Sequence, residues 1–212
     1  MKIDSSNALQ ILLLMGGLSL IPAILFTVTG FTRILIVLGF IRSAIGTNTT
    51  PPNQVLVGIA LFLTLFVMTP TISAIKKDAW EPLQHKQIST ATAIKRGEEP
   101  LREFMFRQTR NQDISLFVNL ARLKTAPKTR AQVPTYVLIP AFIMSELKTS
   151  FEIGFLIFLP FLIIDLVISS TLMSVGMVML PPSFISLPFK ILLFILVDGW
   201  DVITHSLIAS FH

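Results

Sequence analysis

The stretch Met173-Ser174-Val175-Gly176-Met177-Val178-Met179-Leu180-Pro181-Pro182 holds three methionines within seven residues, a glycine among them, and a double proline at its end. Two successive prolines remove two backbone donors and fix two φ angles, so no helix runs smoothly through them. Gly176, Pro181 and Pro182 therefore predict a bend between two apolar segments. Met173, Met177 and Met179 give that bend soft walls, because methionine is unbranched and polarizable and moulds to partners of varying shape. The residues alone leave two readings open: a surface that grips changing partners, or gap-filling side chains in a core.

Outward from the bend, the composition settles the class. Of 212 residues 52% are hydrophobic and 14% charged, against roughly 25% charged in a soluble protein. This describes an all-α integral membrane protein. It has long, proline-broken apolar helical hairpins and a small polar helical domain inserted in the middle. Cysteine is absent, which excludes disulfides, thiolate metal sites and thiol nucleophiles.

Three regions follow. Residues 1–75 form an N-terminal apolar hairpin, 76–135 a polar, basic helical domain, and 136–212 a C-terminal apolar hairpin that carries the methionine bend. Ala8 to Ile45 is apolar but interrupted by Pro22, Gly30 and Arg33. As one helix it would run about 57 Å, nearly twice a ~30 Å hydrocarbon core, so it must bend, tilt or partly leave the membrane. The first ten residues show no small-residue cleavage site ahead of this run. The expectation is that the first apolar segment inserts by itself or that a leader precedes it. Gly46 to Asn53 reads as a fixed hairpin loop, in which Pro51 and Pro52 force extended backbone and Asn53 caps the helix that follows. Gln54 to Ile75 is a bilayer-length apolar helix.

The middle domain carries the charge. Between Lys76 and Thr135 stand twelve Lys/Arg and six Asp/Glu, leaving five against six elsewhere. Acids interleave with the bases and no binding motif accompanies them, so a solvated surface is expected and not a nucleic-acid site. Pro100 after Glu98 and Glu99 suits the first turn of one amphipathic helix, and Asp113 suits the cap of a second. Their apolar stripes are too narrow for an independent core, and packing on each other or on a neighbouring subunit is expected.

Charges embedded in the apolar C-terminal third are costly in lipid and normally face protein or water. Glu146 and Lys190 each lie in apolar surroundings, and opposite charges so placed should find each other across segments or subunits. Arg33, Asp165 and Asp198 read as satisfied structural groups at helix packing sites. His85, His205 and His212 share no metal-ligand spacing, and neither HExxH nor a P-loop occurs. No metal, cofactor or enzymatic activity is expected. A self-contained small-molecule or proton-coupled secondary transporter is the alternative, but the two apolar halves show no repeat of the kind such carriers use.

Two blocks, Phe31 to Pro70 and Ala141 to Trp200, together with PLREFMFRQTRNQDISLF in the middle domain, resemble the FliP family of flagellar type III export proteins. The wording PPNQVLVGIALFLT and MLPP is similar to its flagellar branch. Val178 departs from the family, which often has a further methionine there. The resemblance implies a pore-forming export-gate subunit, five copies of which assemble with two smaller membrane proteins, FliQ-like and FliR-like. It would pass unfolded flagellar subunits across the bacterial inner membrane within the basal body. It further implies an intersubunit ion pair at Glu146 and Lys190, and a gasket at Met173, Met177 and Met179 that closes the pore by excluding water. The positive-inside rule would put the middle domain in the cytoplasm, whereas the resemblance implies the periplasm. The rule loses force for loops near 60 residues, so the resemblance is followed.

Overall fold

The computed structural model describes residues 19, 22–47, 49–123, 127–177 and 179–211. The expectation about a leader falls on the first ten residues, and that about Val178 on a single position; both lie outside the described residues. Among the described residues every regular element is helical. The protein is an all-α membrane protein, and the described residues hold two helices long and apolar enough to cross a bilayer and two further bent helix pairs that meet the same test as pairs.

The first bent pair is α1 (Pro22–Val28) and α2 (Phe31–Ile45), which meet at 82°. This is how the overlong first apolar run is accommodated. The break falls at Thr29–Gly30, where the Thr29 hydroxyl accepts from the Phe31 N–H at 3.3 Å. A side chain at Gly30 would collide with the Phe211 ring, so the corner closes only around glycine. Helix α2 ends at Gly46 in the left-handed region, φ 89°, and the loop returns the chain to α3 (Asn53–Ile75). Helix α3 continues without a break through a π-helical turn, Lys76–Trp80, into α4 (Glu81–Gln84). Two of its hydroxyls bond within the helix, Thr64 donating to the Ala60 carbonyl at 2.6 Å and Thr69 to that of Leu65 at 2.8 Å, as suits an apolar environment.

The middle region forms α5 (Thr90–Gln108) and α6 (Asn111–Leu120). Pro100 lies inside α5 and not in its first turn; the N-cap is Ser89, whose hydroxyl accepts from the Thr92 N–H. Asp113 does not cap α6 either. The cap is Arg110, and Asp113 sits in the first turn, buried against α7. Both helices find a facing surface within the chain. Phe104, Met105 and Phe106 of α5 enter the core with Val37, Ile41, Leu138 and Phe142, so the narrow stripe is sufficient because α3 and α7 supply the facing surface.

Helix α7 (Thr135–Ser174) is 40 residues long and contains Pro140 and Pro160; α8 (Pro182–Leu196) contains Pro188, and α3 contains Pro70. These prolines each forfeit one i−4 hydrogen bond without ending the helix. The breaks fall elsewhere: at Gly30, at the methionine bend, and at Asp198, which is in the left-handed region at φ 52° where α8 turns by 65° into α9 (Gly199–Ala209). The main packing surface is α2 against the first half of α7, where a side chain at Gly154 would collide with the Phe40 ring. Phe40 in turn packs edge-to-face on Phe151, 5.3 Å between centroids.

Gly154→Leu should therefore push α2 off α7 and destabilise the protein by about 1–3 kcal/mol, read as a lowered thermal midpoint in detergent. Adding Phe40→Ala should recover part of the loss; no recovery would mean that Phe40 is not the obstruction.

Candidate functional site

The methionine bend is built by a helix end. Gly176, at φ 82°, donates its N–H to the Met173 carbonyl at 3.1 Å, and the Met177 N–H donates to the Leu172 carbonyl at 3.0 Å. This pair of bonds is a Schellman cap, which terminates α7 and needs a residue free to adopt positive φ. Pro181 then sits at the N-cap of α8 and Pro182 in its first turn, where a missing donor costs nothing. The helix is thus ended by Gly176, and the prolines start the next one.

The cap leaves the sulfur-bearing side chains outside. Met173 is 66% exposed, Met177 51% and Met179 98%. Around them Val175, Leu180 and Phe184 are exposed as well, and an open hollow of about 330 Å³ is lined by Gly176, Met177, Met179 and Leu180. Below the bend a second hollow of about 450 Å³ runs between α7 and α8, lined only by apolar side chains such as Ile164, Val167, Phe189 and Leu192. Of the two readings of the methionines, core filling within one chain does not fit, since these three side chains fill nothing there.

Within the single chain Glu146 and Lys190 each have a partner of their own. Glu146, fully buried, takes a bidentate pair of hydrogen bonds from Arg33, whose Nε donates to Oε2 at 3.0 Å and whose Nη2 donates to Oε1. The same guanidinium donates to Gln108 Oε1 at 2.9 Å and to the Ser210 carbonyl at 2.8 Å, and lies 4.0 Å from the centroid of the Phe211 ring. Lys190 donates to Asp165 at 2.6 Å, and Asp165 also accepts from Ser186 at 2.7 Å. A Cβ at Gly46 would lie 3.8 Å from Lys190 Nζ, which puts the ammonium at the C-terminal, negative end of α2. Both charges of the expected Glu146–Lys190 pair are thus neutralised within one chain. The uncompensated burial from which that pair was inferred does not arise. A planar fork suits a bidentate carboxylate better than an ammonium, but nothing in sequence spacing tells Glu146 which of two distant cations the fold will bring to it.

Asp113 and its neighbours, which sequence reasoning did not single out as a site, make a third cluster. Asp113 accepts from Ser145 at 2.7 Å and from Lys148, and Arg110 donates to Glu152 at 2.6 Å. Burial alone would raise the Asp113 carboxyl. The hydrogen bonds from Lys148 and Ser145, with the nearby charges of Lys148 and Arg110, outweigh it and hold the group below its ordinary range. The bond to Glu152 keeps Arg110 above its usual value, with burial opposing and the charges of Glu152 and Asp113 assisting. In the hairpin loop Pro52 has extended backbone, φ −58° and ψ 153°, and Asn53 does not cap. Its Oδ1 accepts from Arg42 at 2.6 Å, and the N-cap of α3 is Pro52.

Comparison with known proteins bears on the resemblance. The FliP family model matches residues 14–207. The flagellar biosynthetic protein FliP of Bacillus subtilis strain 168 is 53% identical over 206 residues, covering 97% of this chain and 93% of that protein. The protein of the same name from Pectobacterium carotovorum is 54% identical and covers 97% and 79%. That from Aquifex aeolicus is 44% identical and covers 100% and 90%.

Two predictions follow from the charged clusters. Glu146→Gln strands a buried guanidinium and should cost about 3–5 kcal/mol in thermal or denaturant stability, whereas Arg33→Met with Glu146→Leu should recover most of it. For Asp113 the folded-state value lies below the unfolded one, about 3.9. Its stabilisation is complete above the unfolded value and is lost as pH falls through the folded one. The stability difference between the native chain and Asp113→Asn should therefore shrink on acidification from about pH 5 to about pH 2; a constant difference would refute it.

Proposed function

The chain belongs to the FliP family of flagellar biosynthetic proteins, which is not a family of enzymes, and from that premise we propose that it is a pore-forming core subunit of the flagellar type III export gate. In this reading it passes unfolded flagellar subunits across the bacterial inner membrane, within the basal body. Five copies assemble with the FliQ-like and FliR-like membrane proteins. The polar region 76–135 lies on the periplasmic side, and the apolar hairpins 1–75 and 136–212 flank it in sequence.

The observation that carries the reading is the exposure of Met173, Met177 and Met179 at the tip of the α7–α8 hairpin. A set of long, flexible thioethers that fills no core of its own is free to meet the same set from other copies. Gathered around an axis, such side chains exclude water from a narrow opening, and hydrophobic constrictions close pores by dewetting. The same side chains yield around a translocating chain of changing shape, because each has three rotatable bonds and no branch to fix one outline. The apolar flanks of α7 and α8 supply surface for neighbouring subunits, and their exposure exceeds what a solitary soluble chain carries. A self-contained carrier would instead close its substrate route within one chain.

Replacing Met173, Met177 and Met179 together by Ala should raise ion leakage through cells that produce the assembled gate, measured as dye or proton flux, while export of flagellar subunits persists at least in part. Membranes that stay tight would remove the gasket reading.

A further inference from the structure

The described methionines differ in environment. Met68 and Met105 are core residues, 3% and 2% exposed, Met144 is 37% exposed, and Met173, Met177 and Met179 are 66%, 51% and 98% exposed on the single chain and clustered on the bend. Thioether oxidation follows access of the oxidant to sulfur. The three sulfurs that close the proposed opening are thus also the most accessible described sulfurs of the chain. Resting on that reading of the bend, we infer that Met173, Met177 and Met179 form an oxidation site at which hydroperoxides unseal the pore reversibly.

The step balances with a hydroperoxide as the oxidant. The methionine sulfur attacks the OH-bearing peroxide oxygen, an S–O bond forms as the O–O bond breaks, and the proton on that oxygen passes to the departing hydroxide or alkoxide, which leaves as water or as an alcohol. Sulfur loses two electrons and the peroxide gains them. The product is a sulfoxide, a polar and strongly accepting group, in place of an apolar one. In a core that change would disrupt packing. At the bend it breaks nothing in the fold, because the Schellman cap is held by backbone N–H and carbonyl groups of Leu172, Met173, Gly176 and Met177 and not by the side chains. What changes is wetting. Val175, Leu180 and Phe184 are exposed and apolar, and the exposed Ser174 hydroxyl already donates to the Thr171 carbonyl at 2.8 Å, so sulfoxides there supply strong hydrogen-bond acceptors that hold water where dewetting had closed the opening. Sulfoxide reductases return the thioether and with it the seal.

The test uses the gate assembled with its partner subunits, treated with hydrogen peroxide. Oxygen gained at each methionine is followed by peptide mass spectrometry, and ion conductance is measured in parallel. Met173, Met177 and Met179 are expected to oxidise at least about tenfold faster than Met68 and Met105. Conductance should rise with their oxidation and fall again on treatment with sulfoxide reductases. A triple Met→Leu variant at these positions should remain tight under peroxide. Equal oxidation rates at the bend and in the core would overturn the inference whatever the fate of the pore reading. Fast oxidation with unchanged conductance, in a gate that the Ala variants do open, would overturn redox control and leave the gasket standing. A gate opened by neither treatment would overturn both.

Discussion

A guanidinium buried away from water dictates much of this fold. Taking an ion pair out of water costs several kcal/mol per charge, and only near-complete hydrogen bonding makes it tolerable. Arg33 meets that demand with partners from three separate parts of the chain. Glu146 comes from α7, Gln108 from the end of α5, and Ser210 and Phe211 from the end of α9. Gln108 adds a bond of its own, donating to the Phe211 carbonyl at 2.9 Å. None of these elements can shift by an ångström without stranding a charge or a buried amide. An apolar contact would tolerate such a slide, since hydrophobic burial is not directional. The ion pair therefore supplies register between helices whose apolar surfaces alone would specify it poorly.

That constraint splits the molecule into a fixed half and an open half. Around Arg33 the side chains of α2, α5 and the first part of α7 are buried, and the clusters at Asp113 and Arg102 add polar ties, with Arg102 donating to the Val133 carbonyl at 2.7 Å. Beyond residue 154 the partners thin out. The second half of α7 and all of α8 meet chiefly each other, joined by Lys190, Asp165 and Ser186, and most of their large apolar side chains face outward. A chain that invests its polar interactions at one end and leaves the other apolar is arranged for burial by something other than itself, either lipid or further copies.

How much of this was legible in the sequence depends on the range of the interaction. The helix Gln54–Ile75 and the bend at Gly176 and Pro181–Pro182 were readable because local chemistry decides them: an uninterrupted apolar run, a residue free at positive φ, two missing donors. The placement of Pro100 inside α5 was not. Proline favours a first turn only when no packing surface rewards a longer helix, and here Phe104, Met105 and Phe106 are drawn into the core beyond it. Asn53 and Asp113 show the same limit. Each has the side chain of a good cap, yet Arg42 and Lys148 offer charged partners that a lone N–H cannot match. The partners of Glu146 and Lys190 were hidden most deeply, because two cations and two carboxylates in apolar surroundings allow more than one pairing. Only the helix crossing that brings Arg33 to within 3.0 Å of Glu146 decides among them.

The length of α7 completes the picture. Its 40 residues span about 60 Å at 1.5 Å per residue, twice the ~30 Å hydrocarbon core, so the whole helix cannot be a simple bilayer crossing. The polar ties divide it. Thr135, Ser145, Glu146, Lys148, Thr149 and Glu152 are all engaged with α2, α5, α6 or the segment between them, and these fall in the first eighteen residues, where lipid has little access. From Ile153 to Ser174 the helix carries one charge, Asp165, already matched by Lys190. That portion is about 33 Å long, the thickness of one hydrocarbon core. The membrane-length part of α7 is therefore the part left bare, and it ends at the methionines. One helix, with a single backbone bond forfeited at Pro160, connects the Arg33 anchor to the bend. The thioethers thus stand some forty ångströms along the same helix from the buried ion pair, on the order of 27 residues at 1.5 Å each.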